Sequence, residues 1–312
     1  MARIANILCP VDFSEFSRCA LDRAVRIARL HKAVLTAVHV VEPDEPDGDA
    51  ATSAANARRR RDERSEKMIR FVGAETTPDV QIRREVVEGP SVAREILVQA
   101  GRLSADLIVM GTHGRSGVER LLLGSIADKV TRLSHIPVLT VPRSDTEPCG
   151  CPPFRTILCA IDFSEASQAA LRYVSSLIEE PGSHVMILHV VELLPVVREP
   201  CTPSPFDLAP KLADIEAAAH RLVHKTVPPE LKACADVEEI VAEGKPYVAI
   251  LDTATERKAD LIVLGAHGPG ALDRLRYGST TSHVVRRASC PVLTVRQAVE
   301  VGAPTKEPAL TP

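Results

Sequence analysis

Short apolar runs alternate with amphipathic segments along the first half of the chain, and this alternation predicts an α/β fold. The run DLIVMG at 106–111 is almost wholly apolar, which is typical of a strand buried on both faces. In the segment 14–30, apolar residues recur at helical spacing, and Ser14 is suited to cap the start of a helix. The same reasoning predicts strands at 3–9, 33–41, 80–87, 106–111 and 137–141, and helices at 14–30, 52–74, 91–103 and 125–133.

The second half of the chain repeats the first. TILCAIDFSEASQAAL at 156–171 resembles NILCPVDFSEFSRCAL at 6–21, and ADLIVLGAHGPGALDRLRYGS at 259–279 resembles ADLIVMGTHGRSGVERLLLGS at 105–125. HVVE and PVLTV also occur twice, and the offsets place an insertion between the second strand and the glycine-containing stretch of the second half. We expect two domains, at 1–143 and 154–297, a linker at 144–153 and a disordered tail at 298–312.

Alternating strands and helices predict a parallel sheet with helices on both faces. In such open sheets, ligands bind beyond the carboxyl ends of the strands, where the strand order reverses. With a strand order of 3-2-1-4-5, the loops after strands one and four would face each other across one crevice. Asp12 and Asp162 follow the first strand of each half, and the glycine-containing loops follow the fourth.

The loop after the fourth strand carries a glycine pattern with the same spacing in both halves. In the first copy, Gly111 and Gly114 are spaced G-x-x-G, and Gly124 and Ser125 open a predicted helix. Glycines let backbone N–H groups approach an anion closely, and a helix N-terminus offers unpaired donors. The pattern therefore predicts a phosphate site in each half, while turns and a helix cap remain the alternative for any single glycine. The second copy has Gly265, Gly268, Gly278 and Ser279.

Composition limits the classes of function. The net charge of −3 gives no general attraction to nucleic acid or membrane, and 3% aromatic residues without tryptophan argue against stacking platforms for single strands. No apolar run approaches the roughly 20 residues that cross a bilayer, and no signal-peptide pattern is present, so we expect a cytoplasmic protein. The basic run at 58–61, diluted by Asp62 and Glu63, is interpreted as a solvated helix face.

The eight cysteines are expected to be mostly reduced thiols in the cytoplasm. Cys9 and Cys159 occupy matching strand positions and are interpreted as small buried apolar residues. Cys149 and Cys151 form a C-x-C, but no second pair stands at ligand spacing, so a metal or redox role is disfavoured. The chain also contains neither the P-loop pattern nor a G-x-G-x-x-G after its first strand.

These motifs resemble the universal stress protein family in its tandem two-domain form. The resemblance covers about residues 3–142 and 154–296, and it rests on PVDFS and AIDFS, the repeated HVVE, and the pattern G-x2-G-x9-G-[ST] in both halves. It implies a Rossmann-like fold, similar to the adenine nucleotide alpha hydrolases, with two five-stranded, doubly wound sheets of order 3-2-1-4-5. It also implies pairing through the last strands, as an internal pseudo-dimer, and ATP as the ligand, with or without Mg²⁺.

The resemblance separates an adenosine part from a phosphate part in each half. Asp12 and Asp162 would meet the ribose or base, and the glycine loops would hold the phosphates. Arg115 would add a charge to the first site, whereas Pro269 removes that charge and a donor from the second, so we expect the first site to bind more tightly. The implied ligand-binding residues are Pro10, Asp12, Val40, Gly111, His113, Gly114, Arg115, Gly117, Gly124, Ser125 and Ile126, and, in the second half, Ala160, Asp162, Val190, Gly265, His267, Gly268, Gly278, Ser279 and Thr280.

Several of these side chains have a structural alternative. His113 and His267 would either contact phosphate or act as a base, or only pack within their loops. Asp12 and Asp162 each precede a serine by two residues, so either could cap the following turn instead of meeting a ligand. His39 and His189 lie on predicted buried strands and are interpreted as core histidines.

The leading hypothesis is a cytoplasmic ATP-binding stress-response or signalling protein in which nucleotide occupancy biases the binding of a protein partner. Hydrolysis would be slow, because no lysine or pair of metal-binding carboxylates is evident for phosphoryl transfer. We assign no catalytic residue and no metal ligand. The alternatives are a slow ATPase or adenylyl-transfer enzyme, and a nucleotide-free scaffold for partners. The partner, further homodimerisation and the role of the proline-rich segment 193–210, as spacer, lid or partner loop, stay open.

Overall fold

The computed structural model describes residues 3–42, 50–73, 79–113, 123–142, 151–192, 208–266 and 278–296, with the backbone alone for 50–57 and 208–213. Strands and helices alternate in both halves. The first half contains β1 (Asn6–Pro10), α1 (Glu15–His31), β2 (Val34–Val41), α2 (Ala50–Val72), β3 (Ile82–Glu88), α3 (Val92–Arg102), β4 (Leu107–Gly111), α4 (Ser125–Leu133) and β5 (Val138–Val141). The second half contains β6 (Thr156–Ile161), α5 (Glu165–Leu177), β7 (Ser183–Val191), α6 (Leu208–Thr226), α7 (Pro229–Cys234), β8 (Ala235–Glu243), α8 (Pro246–Glu256), β9 (Leu261–Gly265), α9 (Ser279–Arg287) and β10 (Val292–Val295).

The strands form a single sheet in the order β3-β2-β1-β4-β5-β10-β9-β6-β7-β8. Each half has the order 3-2-1-4-5, with parallel neighbours, which confirms the predicted doubly wound α/β fold. The two five-stranded sheets are joined because β5 and β10 pair antiparallel, with Leu139 opposite Leu293. The threonines of this junction add reciprocal bonds, from Thr140 Oγ1 to the Val292 carbonyl and from Thr294 Oγ1 to that of Val138.

Buried side chains form one core on one face of this sheet and two on the other. The face with α1 and α5 has a core that runs through both halves and includes Phe154 from the connecting segment. On the opposite face, α3 and α4 cover the first half and α8 and α9 cover the second, each over its own cluster. The halves therefore share apolar burial on one side, which favours their unfolding together.

The largest local difference from the predicted order is α7, which precedes β8 and has no counterpart in the described first half. It begins at Pro229, the first helical position, where proline is well tolerated, and it falls within the interval where the repeat offsets place an insertion. Helix boundaries differ by one or two residues. For example, α2 ends at Val72 rather than 74, because Gly73 adopts a φ of 83°.

Polar contacts also tie the halves together on the α1 face. Arg26 Nε lies 2.8 and 2.7 Å from the two carboxylate oxygens of Glu179, and its Nη1 donates to the Cys151 carbonyl at 3.0 Å. The buried Arg23 donates to the Pro152 carbonyl at 2.6 Å, and its guanidinium lies 4.2 Å from the centre of the Phe154 ring. These contacts fix α1 against the segment that connects the halves.

Candidate functional site

A cavity of about 590 Å³ lies beyond the carboxyl ends of β1, β2 and β4. This is the position at which the strand order reverses, and the volume falls within the range usual for small-molecule sites. Its walls come from those strand ends, the first turn of α4, the first turns of α3 and one face of α2. Of the residues predicted for the first site, those that line it are Pro10, Asp12, Val40, Gly111, His113, Gly124, Ser125 and Ile126.

The loop from β1 to α1 holds Asp12 by local hydrogen bonds. Asp12 Oδ1 accepts from the backbone N–H of Ser14 at 3.0 Å and from its hydroxyl at 2.5 Å, and Ser14 Oγ in turn accepts from Ser17 N. Phe13, between them, has a φ of 67°, a left-handed conformation that is costly for a bulky residue. The capping alternative is thus observed for Oδ1, and the same carboxylate lines the cavity.

His39 supports this loop from β2. Its Nδ1 lies 2.7 Å from the Val11 carbonyl oxygen, the residue is 5% exposed, and its ring packs on Phe13 with a centroid distance of 4.3 Å. In the second half, His189 Nδ1 lies 2.9 Å from the Ile161 carbonyl and its ring packs on Phe163 at 4.4 Å. His39 is buried, as expected of a core histidine, although it also lines the cavity, whereas His189 is only half-buried. Both histidines contact the loop that carries the aspartate.

Gly111 is required by helix packing as well as by the cavity. A Cβ at this position would lie 2.9 Å from the carbonyl carbon of Phe16, in the first turn of α1. Gly265 is equally crowded, because its Cβ would lie 2.7 Å from Ser167 N. These glycines let α1 and α5 approach the ends of β4 and β9, a reason that the sequence pattern alone did not separate from phosphate binding.

The first turn of α4 presents backbone donors to the cavity. Gly124 N donates to the Thr112 carbonyl at 2.8 Å, and the first intrahelical bond runs from Asp128 N to the Gly124 carbonyl. The N–H groups of the three intervening residues precede that bond, and within the described part of the chain no side chain caps this end of the helix. A helix N-terminus in this state favours an anion through its donors and its dipole.

His113 adds an unpaired polar atom to the same wall. Its Nδ1 lies 2.9 Å from Thr112 Oγ1, and its ring packs on Phe16 at a centroid distance of 5.0 Å. Its Nε2 is buried and has no hydrogen-bond partner among the residues that the structure describes. If the Thr112 hydroxyl donates to Nδ1, the neutral imidazole carries its proton on Nε2, as a donor beside the N-terminus of α4.

Helix α2 supplies two arginines that the sequence interpretation missed. Arg60 and Arg64 are half-buried and line the cavity, whereas Arg58, Arg59 and Arg61 are exposed. The interpretation of 58–61 as a solvated face is therefore wrong for Arg60. The sequence contained a signal for this position. Arg60, Arg64 and the buried residues further along the same helix follow one another at a spacing of four residues, so they share one helix face.

The second half repeats the backbone of this site. Asp162 Oδ1 accepts from Ser164 N at 3.0 Å and from its hydroxyl at 2.5 Å, and Gly278 N donates to the Ala266 carbonyl at 3.0 Å. As in α4, no side chain of the described ranges caps the N-terminus of α9. Ala160, Asp162, Val190, Gly265, Gly278, Ser279 and Thr280 all lie at the ends of the corresponding strands or at the start of α9.

Some predicted residues lie outside the described part of the chain. They are Gly114, Arg115, Gly117, His267, Gly268 and Pro269, together with Cys149, most of the linker, most of 193–210 and the tail. Within the described ranges, no group of three or more His, Cys, Asp or Glu side chains is placed to hold a metal ion. The helices described include none with the length and apolar character needed to cross a membrane.

Burial raises the pKa values of three thiols of the described chain, those of Cys9, Cys151 and Cys159. Cys9 and Cys159 are fully buried, as predicted, and loss of solvation raises the pKa of Cys9 far above its ordinary value and that of Cys159 to about 12. Burial also raises the pKa of Cys151. These thiols are therefore poor nucleophiles and do not contribute reactive groups to the cavity.

A doubly wound α/β unit that is present twice in one chain, with a cavity at the switch point of the first copy, defines the class of protein. The universal stress protein family matches residues 4–142 and 153–296. The chain belongs to the universal stress protein family. It is 28% identical over 303 residues to a universal stress protein of Mycolicibacterium smegmatis, covering 93% of this chain and 97% of that protein.

Shorter relatives match one half of the chain. A universal stress protein of Methanocaldococcus jannaschii is 34% identical over 144 residues, which cover 46% of this chain and 84% of that protein. Among solved structures, a universal stress protein of Archaeoglobus fulgidus superposes with a TM-score of 0.64 at 21% identity, covering 93% of this chain and 98% of the other. That likeness confirms the fold over nearly the whole length.

Proposed function

We propose that the protein binds an adenine nucleotide, with ATP as the natural ligand, and acts as a nucleotide-dependent module in a stress response or in signalling. The observation that carries the proposal is that the N-terminus of α4 and His113 line one cavity. Among the described residues, no side chain caps this helix and the buried Nε2 of His113 has no hydrogen-bond partner. Phosphate groups suit such donors, because each is an anion with several acceptor oxygens.

The rest of the cavity suits a nucleoside. Apolar side chains of β2, β4 and α3 line it, including Val40, Met110 and Ile96, and they provide a slot for a flat base. Asp12 lies between this apolar part and the start of α4 along the sheet, where its carboxylate can accept from ribose hydroxyls. The second half repeats the aspartate, the glycine and the uncapped helix, so we propose a second site there.

Binding rather than turnover fits the described residues. Within them no lysine lines the cavity, and its two arginines, Arg60 and Arg64, belong to α2 rather than to the wall at the start of α4. The donors at the start of α4 are mostly backbone N–H groups, whereas fast phosphoryl transfer needs cations fixed at the transferred group. We propose at most slow hydrolysis, and steady-state phosphate release faster than about 1 s⁻¹ would contradict this. The six described cysteines are free thiols, which supports a location in the reducing cytoplasm. We also propose 1–143 and 154–297 as the limits of the two nucleotide-binding units.

The proposal is tested by replacing the first residue of each helix with proline. Gly124 has φ −57° and ψ 143°, and Gly278 has φ −61° and ψ 142°, conformations that a following proline accepts. Ser125→Pro and Ser279→Pro should therefore keep α4 and α9 while each removes one N–H donor and one hydroxyl from its site.

Calorimetric titration with ATP, with and without Mg²⁺, gives the affinity and the number of sites per chain. We expect binding by the wild type, a loss of about tenfold or more at one site in each single variant, and losses at both sites in the double variant. A larger loss of total binding in Ser125→Pro would support the tighter first site. Wild-type protein that binds no adenine nucleotide, or variants that bind as the wild type does, would overturn the proposal.

A further inference from the structure

Arg64 is a half-buried cation without a partner in the described structure. Its guanidinium makes no hydrogen bond or ion pair, yet it lines the cavity together with Arg60, one turn earlier on α2. Met68 and Val72, at the next two positions of the same helix face, are buried in the core. These four residues form one stripe along α2 that runs from the cavity to the core. The two arginines therefore lie on the side of the helix that faces the sheet.

The arginines and the start of α4 lie on opposite walls of the cavity. Helix α2 packs over β2 and β3, on the same face of the sheet as α1. Helix α4 lies on the other face, and Gly124 N attaches its first turn to the Thr112 carbonyl beyond β4. Because β1 separates β2 from β4, the strands beneath the two walls are about 10 Å apart. The two walls can therefore contact different anionic groups of one ligand.

An arginine in this position favours an anionic ligand. Guanidinium keeps its charge at any physiological pH, and its planar donors match a phosphate group in a bidentate arrangement. Asp12 and Glu42 also line the cavity, so the wall is not uniformly positive. A carboxylate that already has partners, as Asp12 does, leaves the arginine without an ion pair.

We propose that Arg64, with Arg60 beside it, binds a second phosphate group of the ligand, remote from the phosphate held at the start of α4. The inference rests on the proposed function, because it concerns the same cavity. The second phosphate is either the far end of a polyphosphate chain or a substituent on the ribose. The first-half site is thus selective for nucleotides with two separated anionic groups.

The second half lacks this selectivity. In α6, Ile215 and Ala219 precede the buried Val223 and Val227 at the same spacing that Arg60 and Arg64 have before Met68 and Val72. This alignment pairs residues that are 155 positions apart in the sequence. The same separation relates Gly89 to Gly244, whose backbone N–H groups donate to the last residues of β2 and β7. An apolar pair thus stands where the first half has two cations, so the effect should occur at one site per chain.

The test compares three ligands by calorimetric titration of the full chain: AMP, ATP and adenosine 3′,5′-bisphosphate. In the wild type, we expect ATP or the bisphosphate, or both, to bind one site about tenfold or more tightly than AMP. Arg64→Gln should abolish this difference in affinity, while its affinity for AMP stays within about twofold of the wild-type value. Arg64→Lys should retain part of the gain. If Arg64→Gln removes the higher affinity for ATP, Arg64 contacts the polyphosphate chain. If it removes the higher affinity for the bisphosphate, Arg64 contacts a phosphate on the ribose.

The matched control is Arg59→Gln, on the exposed side of the same helix, where Arg59 pairs with Glu63. It removes the same charge from the chain but not from the cavity, so all three affinities should stay as in the wild type. Equal affinities in Arg64→Gln and the wild type would overturn the inference while leaving nucleotide binding intact. A wild type that binds none of the three ligands would overturn the proposed function, and the inference with it.

Discussion

In the first half, the loop after β1 turns at Phe13 with a φ of 67°, and in the second half the loop after β6 turns at Phe163 with a φ of 65°. The hydrogen bonds around Asp12 and Asp162 agree to within 0.1 Å, at 3.0 and 2.5 Å in both loops. The bond from Gly124 N to the Thr112 carbonyl measures 2.8 Å, and that from Gly278 N to the Ala266 carbonyl measures 3.0 Å. The duplicated sequence thus preserves the backbone of the site closely.

The side chains around that backbone differ. Thr112, whose hydroxyl lies 2.9 Å from His113 Nδ1, is replaced by Ala266, which has no hydroxyl to orient a neighbouring imidazole. Thr281, which replaces Ala127, donates to the Gly265 carbonyl at 2.9 Å. Together with the arginines of α2, these differences show that the two halves keep the geometry but not the charges of the site. If both halves bind a ligand as proposed, their affinities are free to diverge.

The largest effect should come from adding a methyl group where a helix touches the sheet. We expect Gly111→Ala and Gly265→Ala each to lower the free energy of unfolding by about 2–3 kcal/mol, because the new Cβ would meet backbone atoms of α1 or α5 that cannot move independently. Denaturant unfolding measures both. Gly101→Ala is the control, since a Cβ at this position would have no atom within 4 Å apart from its chain neighbours and the backbone of its own helix. If only one of the two substitutions, Gly111→Ala or Gly265→Ala, lowers the free energy of unfolding, the packing of α1 on the first half of the sheet and of α5 on the second half is not equivalent.

The order of elements was predictable from the sequence because the buried strands are continuous apolar runs and the repeat doubles each signal. The sheet order came from the family resemblance. Helix α7 was not predicted, because six residues are too few to show a helical period. The join between β5 and β10 came from the same resemblance, since PVLTV alone does not indicate its partner.

The candidate site was predictable in its backbone but not in its charges. Glycine and aspartate positions follow from spacing, because turns and helix starts are local. Which face of α2 meets the cavity depends on tertiary packing, so Arg60 was mistaken for a solvated residue. The unpartnered Nε2 of His113 likewise depends on Thr112 and Phe16, whose contact with the ring is set by the approach of α1 to β4.

A smaller effect is expected from the aspartates that precede β4 and β9. Asp106 Oδ2 accepts from the N–H groups of Ala5 and Asn6 at 2.7 and 2.9 Å, and Asp260 Oδ2 accepts from those of Arg155 and Thr156 at 3.0 and 2.9 Å. Asp106→Ala and Asp260→Ala each leave two donors without this acceptor, at a cost of about 2 kcal/mol by denaturant unfolding. If the two costs differ by more than about 1 kcal/mol, the starts of the two sheets are not equivalent either.

The contact between the halves should contribute less. Glu179→Gln weakens the paired contact with Arg26, and we expect the free energy of unfolding to fall by about 1 kcal/mol, since Glu179 is only 12% exposed. Glu63→Gln is the control, because that ion pair on α2 is exposed and should contribute no more than about 0.5 kcal/mol. Equal losses in the two variants would mean that the Arg26 contact does not hold the halves together.

The smallest change to the protein uses Cys9 and Cys159 as matched reporters, without any substitution. Both thiols are fully buried, and burial raises their pKa values, that of Cys159 to about 12, so the native protein should resist alkylation at pH 8. Above the ordinary thiol pKa near 9, the unfolded chain loses these protons first, so the free energy of unfolding should fall as the pH rises further.

The alkylation rates of the two thiols compare the halves directly. Mass spectrometry of the peptides that contain Cys9 and Cys159 gives one alkylation rate for each half. Because the sheet and one core run through both halves, we expect those rates to be equal and to rise with denaturant together with global unfolding. Faster labelling of one cysteine would show that its half opens alone, and the shared backbone geometry would then not imply shared stability.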